Sequence, residues 1–174
     1  AGCGAAADKV AEKATEKAIE NESGGKVDID TDSGKVKVKT DKGTYESDGN
    51  GNVKISGEDG NTNFTAGDGT KLPEDWPDEL APPDGTKLIS ASTSESGGKQ
   101  VMTVMGEIDA PVKDVYDGLK DQLEGAGFEF SADSFGTAGG GSYGALAGKS
   151  DQWEVNASIT SSGSDGKTTV SMSL

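Results

Sequence analysis

The sequence predicts an α+β protein: an N-terminal helix, a five-stranded antiparallel meander, then a ββαβββ(β) antiparallel sheet covered by one helix. Three observations carry that prediction. Short alternating segments recur about every nine residues between Lys26 and Ala66, separated by turns rich in glycine. One apolar stripe at helical spacing, Val112, Val115, Tyr116, Leu119 and Leu123, follows a pair of strand-like segments. Further alternating segments run from Phe128 to Leu174. The chain divides accordingly into residues 1–25, 26–69, 70–85 and 86–174.

Residues Ala7 to Glu22 read as a helix, with Ala7, Val10, Ala11, Ala14 and Ala18 on one face and Lys9, Lys13, Glu16, Lys17 and Glu20 elsewhere. The small-residue stripe makes this helix weak alone, and Ser23-Gly24-Gly25 ends it. In the meander, Ser33-Gly34 taken as a two-residue loop sets Asp32 against Lys35, Asp30 against Lys37, Asp28 against Lys39 and Lys26 against Asp41. A second loop at Lys42-Gly43 places Glu46 beside Lys39 and Asp48 beside Lys37, and a three-residue turn at Gly49-Asn50-Gly51 sets Glu46 against Lys54. The opposite face collects Val27, Ile29, Val36, Val38, Tyr45, Val53, Ile55, Phe64 and Ala66, an apolar surface that needs a cover.

Between Thr70 and Gly85, four prolines forbid a continuous helix or central strand, so this stretch reads as an extended strap. Leu72, Trp76 and Leu80 recur every four residues and are expected to pin it to a sheet; the alternative is an exposed Trp76 stacking on sugar or peptide. Thr86 to Ser94 and Lys99 to Ile108 form a hairpin around Ser96-Gly97-Gly98. Asp109-Ala110-Pro111 then supplies an N-cap and an early proline for the helix, which runs through Glu124 and stops at Gly125 and Gly127. The strands after it are Phe128 to Ala132, Tyr143 to Lys149, Trp153 to Thr160 and Thr168 to Leu174. Residues Phe135 to Tyr143 read as a flexible glycine-rich hairpin tip.

Composition removes whole classes of chemistry. Only 31% of the residues are hydrophobic and 27 are glycine, so the layers are thin and turns are many. Histidine is absent, which excludes serine triads, cysteine–histidine dyads and the commonest ligand of catalytic zinc. Arginine is absent too, and the net charge of -15 repels phosphate backbones, so nucleic acid is a poor partner. The single cysteine, Cys3, cannot close an internal disulfide or build a metal cluster. Asp28, Asp30, Asp32 and Gly34 resemble the start of a calcium loop, but the glycine comes one place late and Lys39 stands where a bidentate glutamate belongs. The glycine-rich tip lacks the lysine of a phosphate loop and joins strand to strand. No metal or other cofactor is expected, and no run of about 18 apolar residues is present to span a membrane.

The first residues, Ala1-Gly2-Cys3-Gly4 followed by Ala5-Ala6-Ala7-Asp8, resemble the processing site of a bacterial lipoprotein, in which the cysteine becomes the N-terminus and carries lipid. The Leu-Pro-x-Asp-Trp-Pro run and the Pro-Pro-Asp-Gly after it resemble a strap in surface lipoproteins of Gram-positive bacteria that have no known activity. The resemblance implies lipid attachment at Cys3 and a position outside the cytoplasm, on the outer face of the cell membrane. It transfers no other functional residue.

The leading expectation is a non-enzymatic surface module that binds an envelope protein or glycan, with a concave or apolar sheet face as its working surface. Trp76, Tyr143 and Trp153 are the candidate ligand contacts, although Trp153 alternates with Val155, Ala157 and Ile159 and reads as core first. One alternative is a structural spacer. Another is a glycan hydrolase built on two carboxylates drawn from Glu107, Asp109, Glu129 and Asp133, which must converge within about 5–10 Å.

Overall fold

Alternation of side chains gives the chain its dominant element. A computed structural model describes residues 13, 16, 17, 20, 25–30, 33–57, 60–162 and 167–174, and eleven antiparallel strands lie among them with one α-helix. The mostly antiparallel architecture with a single helix fits the α+β class. Two compact units form: one holds the residues up to Ala66 with Thr93–Gln100, the other Gly67–Ser92 with Val101–Leu174.

In the first unit β1 (Lys26–Asp30), β2 (Lys35–Thr40), β3 (Gly43–Ser47), β4 (Asn52–Gly57) and β5 (Gly60–Ala66) pair consecutively. The register corrects the one read from charge. Asp28 lies opposite Lys37 and Asp30 opposite Lys35, two residues away from the expected partners, and Lys26 meets Lys39. The shift keeps every side chain on its face and brings Val27 opposite Val38 and Ile29 opposite Val36. The charge-based register offered only one such aliphatic pair. Cross-strand pairs of this kind stabilise by roughly 0.2–1 kcal/mol each, which outweighs one like-charge pair held in water.

A second two-residue shift moves Glu46 from Lys39 to Lys37, with which it forms an ion pair, and brings Tyr45 opposite Val38. Here Asp41 and Lys42 make the turn and Gly43 is a strand residue. A Cβ on Gly43 would stand 2.3 Å from the Ser56 carbonyl oxygen, so β4 approaches only because none is there. The pairing of Glu46 with Lys54 is as expected. Asp48 holds that turn, accepting hydrogen bonds from the backbone N–H groups of Asn50 (2.8 Å) and Asn52 (3.1 Å).

The outer side of β1 is capped by carboxylates. Glu20 Oε1 accepts the Val27 N–H at 3.1 Å and Glu16 Oε1 accepts the Ile29 N–H at 2.9 Å. Lys13, Glu16, Lys17 and Glu20 have helical backbone; the rest of the helix expected over 7–22 and Cys3 lie outside the described residues. Four helical residues rise about 6.0 Å and two strand residues about 6.7 Å, so side chains one turn apart match alternate N–H groups along the strand. An edge blunted this way does not template pairing with another chain.

In the second unit β6 (Lys87–Ser96) up to Ser92, β7 (Lys99–Ile108) from Val101, β8 (Glu129–Ala138), β9 (Gly141–Lys149), β10 (Glu154–Ser162) and β11 (Lys167–Ser173) take the order β6-β7-β11-β10-β9-β8. Strands β8 and β9 run further than the sequence suggested. The stretch read as a flexible glycine-rich tip is strand up to a two-residue turn at Gly139 (φ 60°) and Gly140 (φ 84°), the backbone a tight hairpin demands.

Helix α1 (Val112–Gly125) lays its whole apolar stripe on the sheet: Val112, Val115, Tyr116, Leu119 and Leu123 are all buried. Beneath it lie Met102, Val104, Leu146, Val155, Ala157, Ile159, Val170 and Met172. The N-cap is Pro111, with no side-chain hydrogen bond. Asp109, expected in that role, sits two residues too early to reach the first helical N–H groups. At the other end Phe128 N–H bonds the Leu123 carbonyl and Gly127 N–H the Glu124 carbonyl, both at 3.0 Å, with Gly127 at φ 81°. That paired closure satisfies two orphan carbonyls and carries Phe128 onto Leu123 in the core.

The strap belongs to this unit and is pinned as expected. Leu80 is fully buried, Trp76 is 6% exposed, and Leu72 packs against the same core. A 3-10 turn over Asp78–Leu80 lets the Trp76 indole N–H donate to the Leu80 carbonyl at 2.9 Å. Gln122 of α1 donates to the carbonyls of Glu79 and Ala81, each at 2.9 Å.

Candidate functional surface

A sheet with a helix on one face presents its other face to solvent unless something covers it. In the second unit that other face is defined strand by strand from the register. Thr103, Ser173, Asn156, Ala147 and Ala132 form one row across β7, β11, β10, β9 and β8. Met105, Ser171, Ser158, Ala145 and Ser134 form the next, and Glu107, Thr169, Thr160, Tyr143 and Gly136 the third. Adjacent strands are about 4.8 Å apart and alternate residues about 6.7 Å apart, so the grid measures about 19 Å by 13 Å.

None of the fifteen positions is buried, and Glu107 alone is charged, in a chain whose residues are 27% charged. Three are alanine and one is glycine. Eight carry hydroxyls: Ser134, Ser158, Ser171, Ser173, Thr103, Thr160, Thr169 and Tyr143. Among the described residues, not one of these hydroxyls has a hydrogen-bond partner, and each is both donor and acceptor. The rim holds the two large apolar side chains, Tyr143 at 45% and Met105 at 36% exposure.

The candidate residues named from sequence separate. Tyr143 lies on this grid, its ring packed across Gly136, where a Cβ would meet the phenol oxygen at 2.6 Å. Trp76 is buried with its indole N–H used, which leaves no ring face for a ligand. Trp153 is half-buried against the core, in a turn where Ser150 N–H donates to its carbonyl at 2.8 Å. The structure does not bring the three together. It gathers instead a set of serines and threonines that sequence reading passed over. Their signal was present in the alternation Asn156, Ser158, Thr160 and Thr169, Ser171, Ser173, where each outward residue is short, polar and uncharged.

The opposite face is organised around Asp133. Its carboxylate accepts a hydrogen bond from the Tyr116 phenol and an ion pair from Lys120 at 2.5 Å. The Tyr116 ring lies 5.4 Å from that of Phe135, and Lys113 stands 5.6 Å over the Phe135 ring. Gly144 makes room for this cluster, since a Cβ there would meet the Tyr116 ring at 2.5 Å.

Lys120, and then Tyr116, hold the Asp133 carboxyl below the usual carboxylate range. Burial, then the Asp133 bond, pushes the Tyr116 phenol up. A depressed carboxyl adds stability that is complete above its unfolded value of about 3.9 and is lost as pH falls through the lower folded value. Thermal melts across an acid pH series check this: wild type is expected to exceed Asp133→Asn above about pH 4, with the difference shrinking progressively as pH falls further.

Of the carboxylates weighed for glycan hydrolysis, Glu107 and Asp133 are not brought together. Glu107 on β7 and Asp133 on β8 face opposite sides of the sheet at strands four spacings apart, about 19 Å, beyond the reach of a catalytic pair. Glu107 is also paired with Lys167 at 3.4 Å. Glu129 instead borders a polar cleft with Glu79, Asp151 and Trp153. Among the described residues no group of three or more His, Cys, Asp or Glu is placed to hold a metal, and no helix is long and apolar enough to cross a membrane.

Comparison with protein-family models, curated protein sequences and solved structures returns no match.

Proposed function

We propose that the chain is a non-enzymatic binding module of the bacterial cell envelope, held on the outer face of the membrane by a lipid on Cys3. Its working surface is the helix-distal grid of the second unit. One observation carries this reading: fifteen neighbouring outward positions hold a single charge and eight hydroxyls with no hydrogen bond to another described residue, in a chain of net charge -15. Surfaces that serve only solubility are charged and mixed, as the rest of this chain is. A sheet face with so few charges is the exception that calls for a contact.

The small and polar residues after Cys3 support the anchoring half of the reading. Two or more acyl chains, at about 0.8 kcal/mol per buried CH₂, hold a protein on a bilayer where one chain holds it only marginally. The two halves are tested separately. Cys3→Ser is expected to move the full chain from the membrane fraction to the soluble one. Ser158→Glu, at the centre of the grid, is expected to leave that fractionation unchanged and to abolish retention on detergent-washed envelopes. Undiminished membrane association of Cys3→Ser refutes the anchor, and undiminished retention of Ser158→Glu refutes the surface.

A further inference from the structure

We infer that the grid of the second unit binds a neutral, hydroxyl-rich polysaccharide lying flat across the strands; this rests on the reading of the grid as the working surface. Three features select that chemistry. No grid position is a cation, Lys167 at its border is already paired with Glu107 at 3.4 Å, and the chain is strongly acidic, so polyanions are repelled and gain little pairing on arrival. Its centre, Ser171, Ser158 and Ala145, has no large aromatic or arginine anchor, which a protein partner would need to form a desolvated hot spot. Its hydroxyls are both donors and acceptors, as sugar hydroxyls are, and serine and threonine have few rotamers to lose on contact.

The rim supplies the apolar complement. Tyr143 offers a 45% exposed ring and Met105 a 36% exposed thioether, suited to the CH-bearing faces of sugar rings at either side of the polar centre. Asn156 adds an amide that donates and accepts on the same surface. Strands fix all of these positions, so the surface is ordered before a ligand arrives and association immobilises little.

Sedimentation of the full chain with chitin and with cellulose, beside polygalacturonate as the anionic comparator, tests the assignment. Binding to a neutral polymer is expected, unchanged between about 0.05 and 0.5 M salt because no ion pair is screened. Ser158→Lys and Ser158→Glu are both expected to weaken it about tenfold, since either charge must be desolvated against an uncharged partner. Tyr143→Ala, a truncation at the exposed rim, is expected to weaken it by a similar factor. Binding to polygalacturonate alone, or strengthened by Ser158→Lys and weakened by Ser158→Glu, overturns the neutral ligand. Failure to bind any glycan while Ser158→Glu still abolishes envelope retention overturns the ligand class and leaves the surface assignment standing. Loss of neither glycan binding nor retention in the Ser158 variants overturns both.

Discussion

Truncating Trp76 to alanine is expected to lower the unfolding free energy of the second unit by about 3–5 kcal/mol. The ring is 6% exposed, and its N–H satisfies the carbonyl of Leu80, which is itself fully buried. Removal leaves a void under the strap and orphans that carbonyl, so transfer, cavity and hydrogen-bond terms add. Trp76→Phe retains most of the volume and loses the donor, and is expected to cost the hydrogen bond's share, about 1–3 kcal/mol. Urea unfolding reads both as shifts in midpoint at unchanged slope. A Trp76 that worked as a ligand platform would give the opposite pattern, with binding impaired and midpoint preserved.

Leu119→Ala is expected to cost about 2–5 kcal/mol. Leu119 is fully buried at the middle of the α1 stripe, within the cluster that includes Leu146 and Ile159. Among the described residues one helix and the strap supply the cover of this sheet face, so no second layer there can shift inward to fill the space. Against a typical domain stability of about 5–15 kcal/mol, the loss is a large fraction of the total. Thermal melting of the variant checks it, and a melting temperature within about 2 °C of wild type contradicts the packing described.

Which parts of this fold were legible follows from the strength of each signal. The α1 stripe was readable because five apolar residues at unbroken helical spacing admit one buried face, and all five are buried. The strap was readable because its prolines exclude regular structure while Leu72, Trp76 and Leu80 need a core. Register in the first unit was misread by two residues because it was argued from exposed charges, whose pairing is worth tenths of a kcal/mol. Aliphatic opposition and the Gly43–Ser56 approach decide it instead, and both depend on neighbours that a single strand does not reveal. The β8–β9 extension was missed because glycine and serine carry almost no strand propensity, whereas the hydrogen-bonded ladder needs only backbone.

The working surface was least legible. Its fifteen residues come from five strands, and β7, β11 and β10 are neighbours in an order that the chain does not follow. Each strand contributes only one to three unremarkable serines, threonines or alanines. The surface exists in the assembled sheet, where their common lack of charge becomes an area rather than a string of small residues.

Hydroxyl-radical labelling of the full chain on isolated envelopes tests most directly whether the helix-distal grid is the surface in use. Met105 and Tyr143 on the grid are expected to lose labelling on contact, while Phe135 on the helix side and Tyr45 in the first unit, 36% and 37% exposed, keep theirs. Labelling of Met105 and Tyr143 that is unchanged by the envelope, with protection at Tyr45 or Phe135 instead, would place the contact elsewhere and contradict the assignment.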